Sequence, residues 1–389
     1  WFDNAPVALA PGQVKAKVSF QVGKALEEKA QELWDAEIEA FQARRGARKG
    51  SSDSAWLRTV MRNGTLSDRI AAMSMVVQES ALHNFSTLTG LIAMTRKRGS
   101  REAHLAIEAV RDLFANQLLP DRKLRLFHNN PLGDTDSTTA THLIFWRFEA
   151  ALAEKYSEYI QSLEEGAQEA LPYFKRSCIQ AMHELLLKKP EKEKRLLAML
   201  TNKLGDPDRK IGANVVFLLQ QLIREHPGMK MVIVDELEAL AFRANTSLRA
   251  QYYSLVFMTE IPLVRGDDKA LAKRMIKLYI RMFKVISDEE REAHMTAKKG
   301  GKGSKKKARY AQGRNGKDGN RAKKRGGGRN KNAKKSNGAP VGNSHTKLMR
   351  ALLQGINRAF AYAECDGTET AEMTDTLFRM VHHATFATG

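Results

Sequence analysis

Apolar positions recur along most of this chain at intervals of three and four. In "DPDRKIGANVVFLLQQLIREHPG" they fall at Ile211, Val215, Leu218, Leu219, Leu222 and Ile223, which is one face of a helix. Asp206 is placed to cap that helix. Pro207 suits its first position, where a missing N–H has no intrahelical partner to lose, and Pro227 with Gly228 ends it. The same spacing predicts helices over roughly 190–204, 207–225, 229–243, 246–262 and 267–286, and earlier over 66–78, 82–95 and 100–114. Alternating Val/Ile/Thr runs joined by Asn-Gly turns, the mark of strands, are scarce. Each predicted helix carries one apolar stripe, so it must stack on neighbours to bury it. The N-cap residues Asp206 and Asn245 lie 39 positions apart, close to the ~40-residue period of HEAT-type helix pairs. The pattern predicts an all-α chain arranged as a HEAT/armadillo-like α-solenoid of antiparallel helix pairs. An irregular helical bundle is the alternative.

The pattern breaks once. Helix 267–286 carries Leu271, Met275, Ile276, Tyr279, Ile280 and Phe283, and "TKLMRALLQGINRAFAY" resumes with Leu348, Leu352, Leu353, Ile356 and Phe360. Each needs a packing partner, and the simplest geometry closes the two into a hairpin. The 58 residues between them, 287–344, are then a long loop. Its closure costs little, because that cost grows only logarithmically with length. Within it, "KKGGKGSKKKARYAQGRNGKDGNRAKKRGGGRNKNAKKSNG" (298–338) holds 17 Lys or Arg against one acid, Asp318, which is +16 of the chain's net +20. A block of like charge this poor in large apolar residues repels itself and builds no core, so it is expected to be disordered. The expected organisation is an N-terminal helical segment and linker over 1–50, helical repeats over 51–290, the basic Gly/Lys/Arg-rich insert over 291–344, and continued repeats over 345–389.

The insert is the strongest candidate for chemistry. Lys298, Lys299, Lys302, Lys305, Lys306, Lys307, Arg309, Arg314, Arg321, Lys323, Lys324, Arg325, Arg329, Lys331, Lys334 and Lys335 are interleaved with Gly, Asn and Ser and a single aromatic, Tyr310. Such a polycation contacts phosphates without reading sequence. It also fits a nuclear or nucleolar address. Two smaller patches are weaker candidates for an RNA backbone: Arg96, Lys97, Arg98 and Arg101, then Arg122, Lys123 and Arg125. Their alternative is ordinary solvated loops. Successive loops of an antiparallel stack fall on opposite edges, so the two patches are not expected to merge. Glu149, Glu154, Glu158, Glu164, Glu165 and Glu169 read as a solvated helix face, with a docking surface for a basic partner as the alternative.

Nothing in the sequence assembles a catalytic, cofactor or metal site. "GGKGSKKK" lacks the G-x-x-x-x-G-K-[ST] pattern and no strand precedes it. The histidines are scattered; His382 and His383 are adjacent, which puts them on different helix faces, and no H-x-x-x-H pair exists for zinc. No carboxylate pair stands out as general acid and base. Cys178 and Cys365 are too few and too far apart for a disulfide framework, and read as buried small apolar residues in a reducing compartment. The sequons at Asn63, Asn84 and Asn245 read as chance matches. No apolar run reaches the ~18 residues that span a bilayer, so neither a membrane nor a small-molecule substrate is expected. The chain shows no signal peptide, opens on Trp1 rather than Met, and stops just after a helical pattern; it reads as part of a longer protein.

Several stretches taken together resemble one family: "DSAWLRTVMRNGTLSDRIAAM" (53–73), "LLPDRKLRLFHNNPL" (118–132), "LIFWRFE" (143–149), "NKLGDPDRKI" (202–211), "FRANTSLRAQYYSLVFM" (242–258) and "LMRALLQGINRAFAYAE" (348–364). They are similar to the CCAAT/enhancer-binding protein zeta family, nucleolar-complex proteins of large-subunit ribosome assembly. The likeness runs from about residue 30 to the end and skips the basic insert, which is not a feature of the family. The resemblance implies a non-enzymatic HEAT-like scaffold in the nucleus and nucleolus. Its partners would be pre-ribosomal RNA, a second nucleolar-complex protein in a heterodimer, and other large (60S) subunit assembly factors. It also implies that the chain stops before the family's C-terminal domain. The family's name carries a second reading, a DNA-binding transcription cofactor at CCAAT-type promoters. That would need base-edge readout by an element in a groove, and no helix-turn-helix with a basic recognition face is visible. A transport receptor is a third use of such stacks, and those tend to be acidic.

Overall fold

Short polar side chains start several of these helices. Ser100 accepts from the Ala103 N–H (3.0 Å), Asp208 from Lys210 (2.9 Å) and Ser247 from Ala250 (3.2 Å), each taking up an N–H that has no partner within its own helix. In the computed structural model, residues 1–2, 19–47, 52–97, 99–132, 139–244, 246–286 and 341–363 are described, with positions 371, 374, 375, 378 and 382. Every regular element among them is helical: α1 (Phe20–Ala47), α2 (Ser52–Asn63), α3 (Leu66–Glu79), α4 (Phe85–Thr95), α5 (Arg101–Leu113), α6 (Ala140–Gly166), α7 (Pro172–Lys188), α8 (Glu193–Asn202), α9 (Arg209–Glu225), α10 (Lys230–Ala241), α11 (Leu248–Glu260), α12 (269–286) and α13 (Val341–Ala363). The chain divides into two compact units, Trp1–Met229 and Lys230–Gly389.

In the first unit α3, α5, α7 and α9 pack in succession, with α4 against α5 and α6, and α8 against α7. The stripes read from the sequence are the buried faces: Ile107 and Val110 of α5, Ile179 and Met182 of α7, Ile211, Val215 and Leu219 of α9 are all fully buried. Burying each such side chain contributes about 1.5–3 kcal/mol. Helix α1 lies along α6. Its Trp34 is buried, stands edge-on to Phe85 and Phe148, and donates its indole N–H to the Leu82 carbonyl at 3.0 Å. After Leu113 the chain continues as a π-helical turn, Phe114–Leu118, in which Phe114 packs on Tyr156 and Tyr159.

In the second unit α10 packs on α11, and α11 on α13. Helix α13 also meets α12: Gly355 faces the Tyr279 ring so closely that a Cβ there would come within 2.7 Å of it. The Arg358 guanidinium donates to the Thr259 carbonyl at the end of α11. The sequence predicted α12 as the partner of α13; the glycine notch and the arginine add α11. The segment 287–340, with the basic insert, lies outside the described residues.

The helix ends differ from the periodic reading by a few residues. The cap of α9 is Asp208 rather than Asp206, because the Asp206 carboxylate instead receives Lys175 at 2.9 Å and the Asp208 N–H at 3.0 Å. Pro207 therefore precedes the helix. The cap of α11 is Ser247; Asn245 lies outside the described residues. The interval is unchanged, since Asp208 and Ser247 are again 39 positions apart.

Candidate nucleic-acid interface

The described basic residues sit on two loops whose neighbours come from α6, α7 and α8. The first loop joins α4 to α5. Arg96 pairs with Glu158 of α6 at 3.1 Å and Lys97 with Glu102 at 2.8 Å, while Arg101 is exposed. Arg98 lies outside the described residues.

The second loop, 119–132, is a strap held at both ends of its basic run. Glu149 of α6 is 3% exposed. It takes the Arg122 guanidinium in a two-pronged pair, and its Oε1 accepts the Arg125 backbone N–H at 2.8 Å. Glu191, also buried, accepts the Leu124 N–H at 2.8 Å. Outside these, Lys123 pairs with Glu193 (2.8 Å) and Lys189 with Asp121 (2.8 Å). The hydrogen bond to Glu193 raises the Lys123 pKa above its ordinary value. At the far end, strap residues Phe127 and Leu132 enter a small core with Ala30, Leu143 and Ala150.

Four of the weaker candidates, Arg96, Lys97, Arg122 and Lys123, are therefore engaged with carboxylates of this chain, and Arg101 and Arg125 remain exposed. The acidic face of α6 needs correcting. Glu149 is buried, Glu158 bridges Arg96 and Lys155, and Glu164 pairs with Arg195 of α8. The missed signal was local: Glu149 stands among Phe148, Ala150, Ala151 and Leu152, a stretch apolar on all sides, where a carboxylate is retained only with partners. The sixteen insert positions lie outside the described residues, so this pairing bears only on the helical part.

Cys178 is fully buried between α6 and α7, and burial pushes its thiol pKa up to about 12. Cys365 is outside the described residues. Among the described residues no group of three or more His, Cys, Asp or Glu could hold a metal ion, and no helix is long and apolar enough to cross a membrane.

These features define an all-helical protein in which Arg96, Lys97, Arg122 and Lys123 are tied to carboxylates of the same chain and whose net charge is concentrated in one sequence segment. No family model matches the chain. It is 32% identical to mouse CCAAT/enhancer-binding protein zeta over 92% of its own length and 30% of the relative's. It is 30% identical to ribosome biogenesis protein NOC1 of Chaetomium thermophilum over 97% of its length and 36% of that protein's. With nucleolar complex protein 1 of Drosophila melanogaster it shares 33% identity over 61% of its length and 21% of the relative's. The chain belongs to this CCAAT/enhancer-binding protein zeta family. It spans about a third of the length of the relatives it matches.

Proposed function

We propose that this chain is a non-catalytic helical scaffold of large-subunit ribosome biogenesis, acting in the nucleolus and binding pre-ribosomal RNA and assembly factors. One observation carries the reading: nearly the whole chain matches a protein named for ribosome biogenesis. A second relative, named a nucleolar complex protein, supports the compartment and an assembly of several proteins, a second nucleolar-complex protein among them. The succession α3, α5, α7, α9 with α4 and α6 alongside supports a HEAT-like stack. In this reading the repeats of 51–290 and 345–389 hold partners, 1–50 is an N-terminal helical segment and linker whose α1 packs on α6, and the insert 291–344 adds sequence-independent attraction to RNA. The transcription-cofactor reading draws on the words CCAAT/enhancer-binding in the relatives' name.

The test is binding of single-stranded RNA across a salt series, by the chain with and without 291–343. If about eight insert charges meet phosphates, log K falls against log salt with a slope near −6, at roughly −0.7 per contact. Loss of affinity and slope on deletion makes the insert the main RNA element. Tight, sequence-specific binding of CCAAT duplex DNA with none to RNA refutes the scaffold reading.

A further inference from the structure

We propose that the edge formed by the α4–α5 loop and the start of α7 is a second RNA contact, separate from the insert, in which one base stacks on Tyr173 and flanking phosphates meet Arg101 and Arg176. This rests on the reading of the chain as an RNA-binding scaffold.

Tyr173 is the second residue of α7 and is 70% exposed, although it is a large aromatic. Its ring is held in place. The hydroxyl lies 2.6 Å from His104 Nε2 on α5, and the two rings are 4.5 Å apart and tilted by 56°. A side chain tied by its tip keeps one ring face aimed outward at little ordering cost on binding, which is what a stacking platform requires. Leu171, 52% exposed, continues the apolar surface and seats the neighbouring loop: a Cβ on Gly99 would come within 3.2 Å of its Cδ1. That contact brings the 96–101 loop to the same edge.

Cations flank the ring on both helices. Arg101 lies one turn before His104, and Arg176 one turn after Tyr173, so each shares a helix face with a member of the Tyr173–His104 pair. Both are exposed, and neither pairs with an acid among the described residues. Two of the nearby acids are already engaged, Glu102 with Lys97 and Glu158 with Arg96, while Glu108 lies 3.6 Å from His104 Nε2, the nitrogen that meets the Tyr173 hydroxyl. A planar ring with an exposed arginine one turn along from each member of its pair fits a single strand, with its π-faces and its repeating phosphates. A protein partner would need a broader apolar core than Leu171 and Tyr173 supply.

The experiment uses the full chain and an unstructured RNA of about 12 nucleotides, at about 0.4 M salt, where long-range polycation binding is weakened more than stacking. Tyr173→Ala is expected to weaken binding about 5- to 100-fold. Tyr173→Phe, which keeps the ring, recovers most of that loss, and Trp56→Ala, another exposed aromatic, leaves affinity unchanged. Arg101→Ala with Arg176→Ala lowers the salt slope by about 1.4. Equal melting temperatures separate lost contact from unfolding. A cross-link from 4-thiouridine in the RNA to the Tyr173 peptide of the unmutated chain reads the same contact without a variant. RNA binding that Tyr173→Ala leaves intact, or cross-links that map only elsewhere, overturns this site while the RNA-binding reading stands. Retained RNA affinity with lost binding to polyglutamate replaces it with a protein-docking edge. No RNA binding at all removes both readings.

Discussion

Removing the Arg122 side chain tests whether the strap is held by a buried charge. In the intact chain Glu149 is 3% exposed, and Arg122→Ala leaves its carboxylate only the Arg125 N–H among these partners. Breaking a buried pair from one side costs about 3–5 kcal/mol. The Arg122 side chain is itself 42% exposed, so water reaches the vacated space and the cost falls to about 2–3 kcal/mol. For a unit of this size that is a drop of roughly 4–12 °C in melting temperature. Glu149→Gln with Arg122→Met removes both charges and keeps the volume, and is expected to recover most of the loss. Urea unfolding followed by circular dichroism gives the free energies. A cost below about 0.5 kcal/mol for Arg122→Ala, or a double variant no better than the single, would refute the argument, because Glu149 would then be hydrated or held elsewhere.

Four further outcomes follow from the core. Tyr159→Phe loses a buried hydrogen bond of 2.8 Å to the Ile107 carbonyl and is expected to cost about 0.5–1.5 kcal/mol. Tyr156→Phe removes a buried hydroxyl that makes no hydrogen bond among the described residues, so chemical denaturation should find it neutral or stabilised. Gly355→Ala forces a Cβ against the Tyr279 ring and should cost about 1–3 kcal/mol, read as loss of helical signal at lower temperature. Because the folded Cys178 thiol titrates near 12, above its ordinary value, it is neutral when the unfolded thiol ionises near 9. Its contribution is therefore complete below pH 9 and is lost as pH rises toward 12, at up to about 1.4 kcal/mol per pH unit; Cys178→Ala should flatten that slope in denaturation curves, and native Cys178 should resist alkylation at pH 8.

The helices were legible because their stripes are strictly periodic: Ile211, Val215 and Leu219 could face only one way. Their ends were less so. Asp206 and Asp208 both suit a cap, and the sequence does not say that Lys175, 31 positions away, claims the first. The same limit applied at the candidate interface. Arg122 and Lys123 look like free cations in the sequence, since the carboxylates that bind them are 27 and 70 positions further on. Tyr173 was overlooked because an aromatic beginning an amphipathic helix looks like core until its exposure is known. The Gly355 notch that lets α13 reach Tyr279 carries no local sign either, because one glycine in a helix has many possible reasons.

The strap's anchors also set a schedule for synthesis. Leu124 finds its carboxylate on Glu191, which is added 67 residues later. At about 5–20 residues per second that is a wait of roughly 3 to 13 s. Arg125 meets Glu149 after only 24 residues. On the translating ribosome the strap is thus fastened first to α6 and locked only once the turn that precedes α8 has emerged.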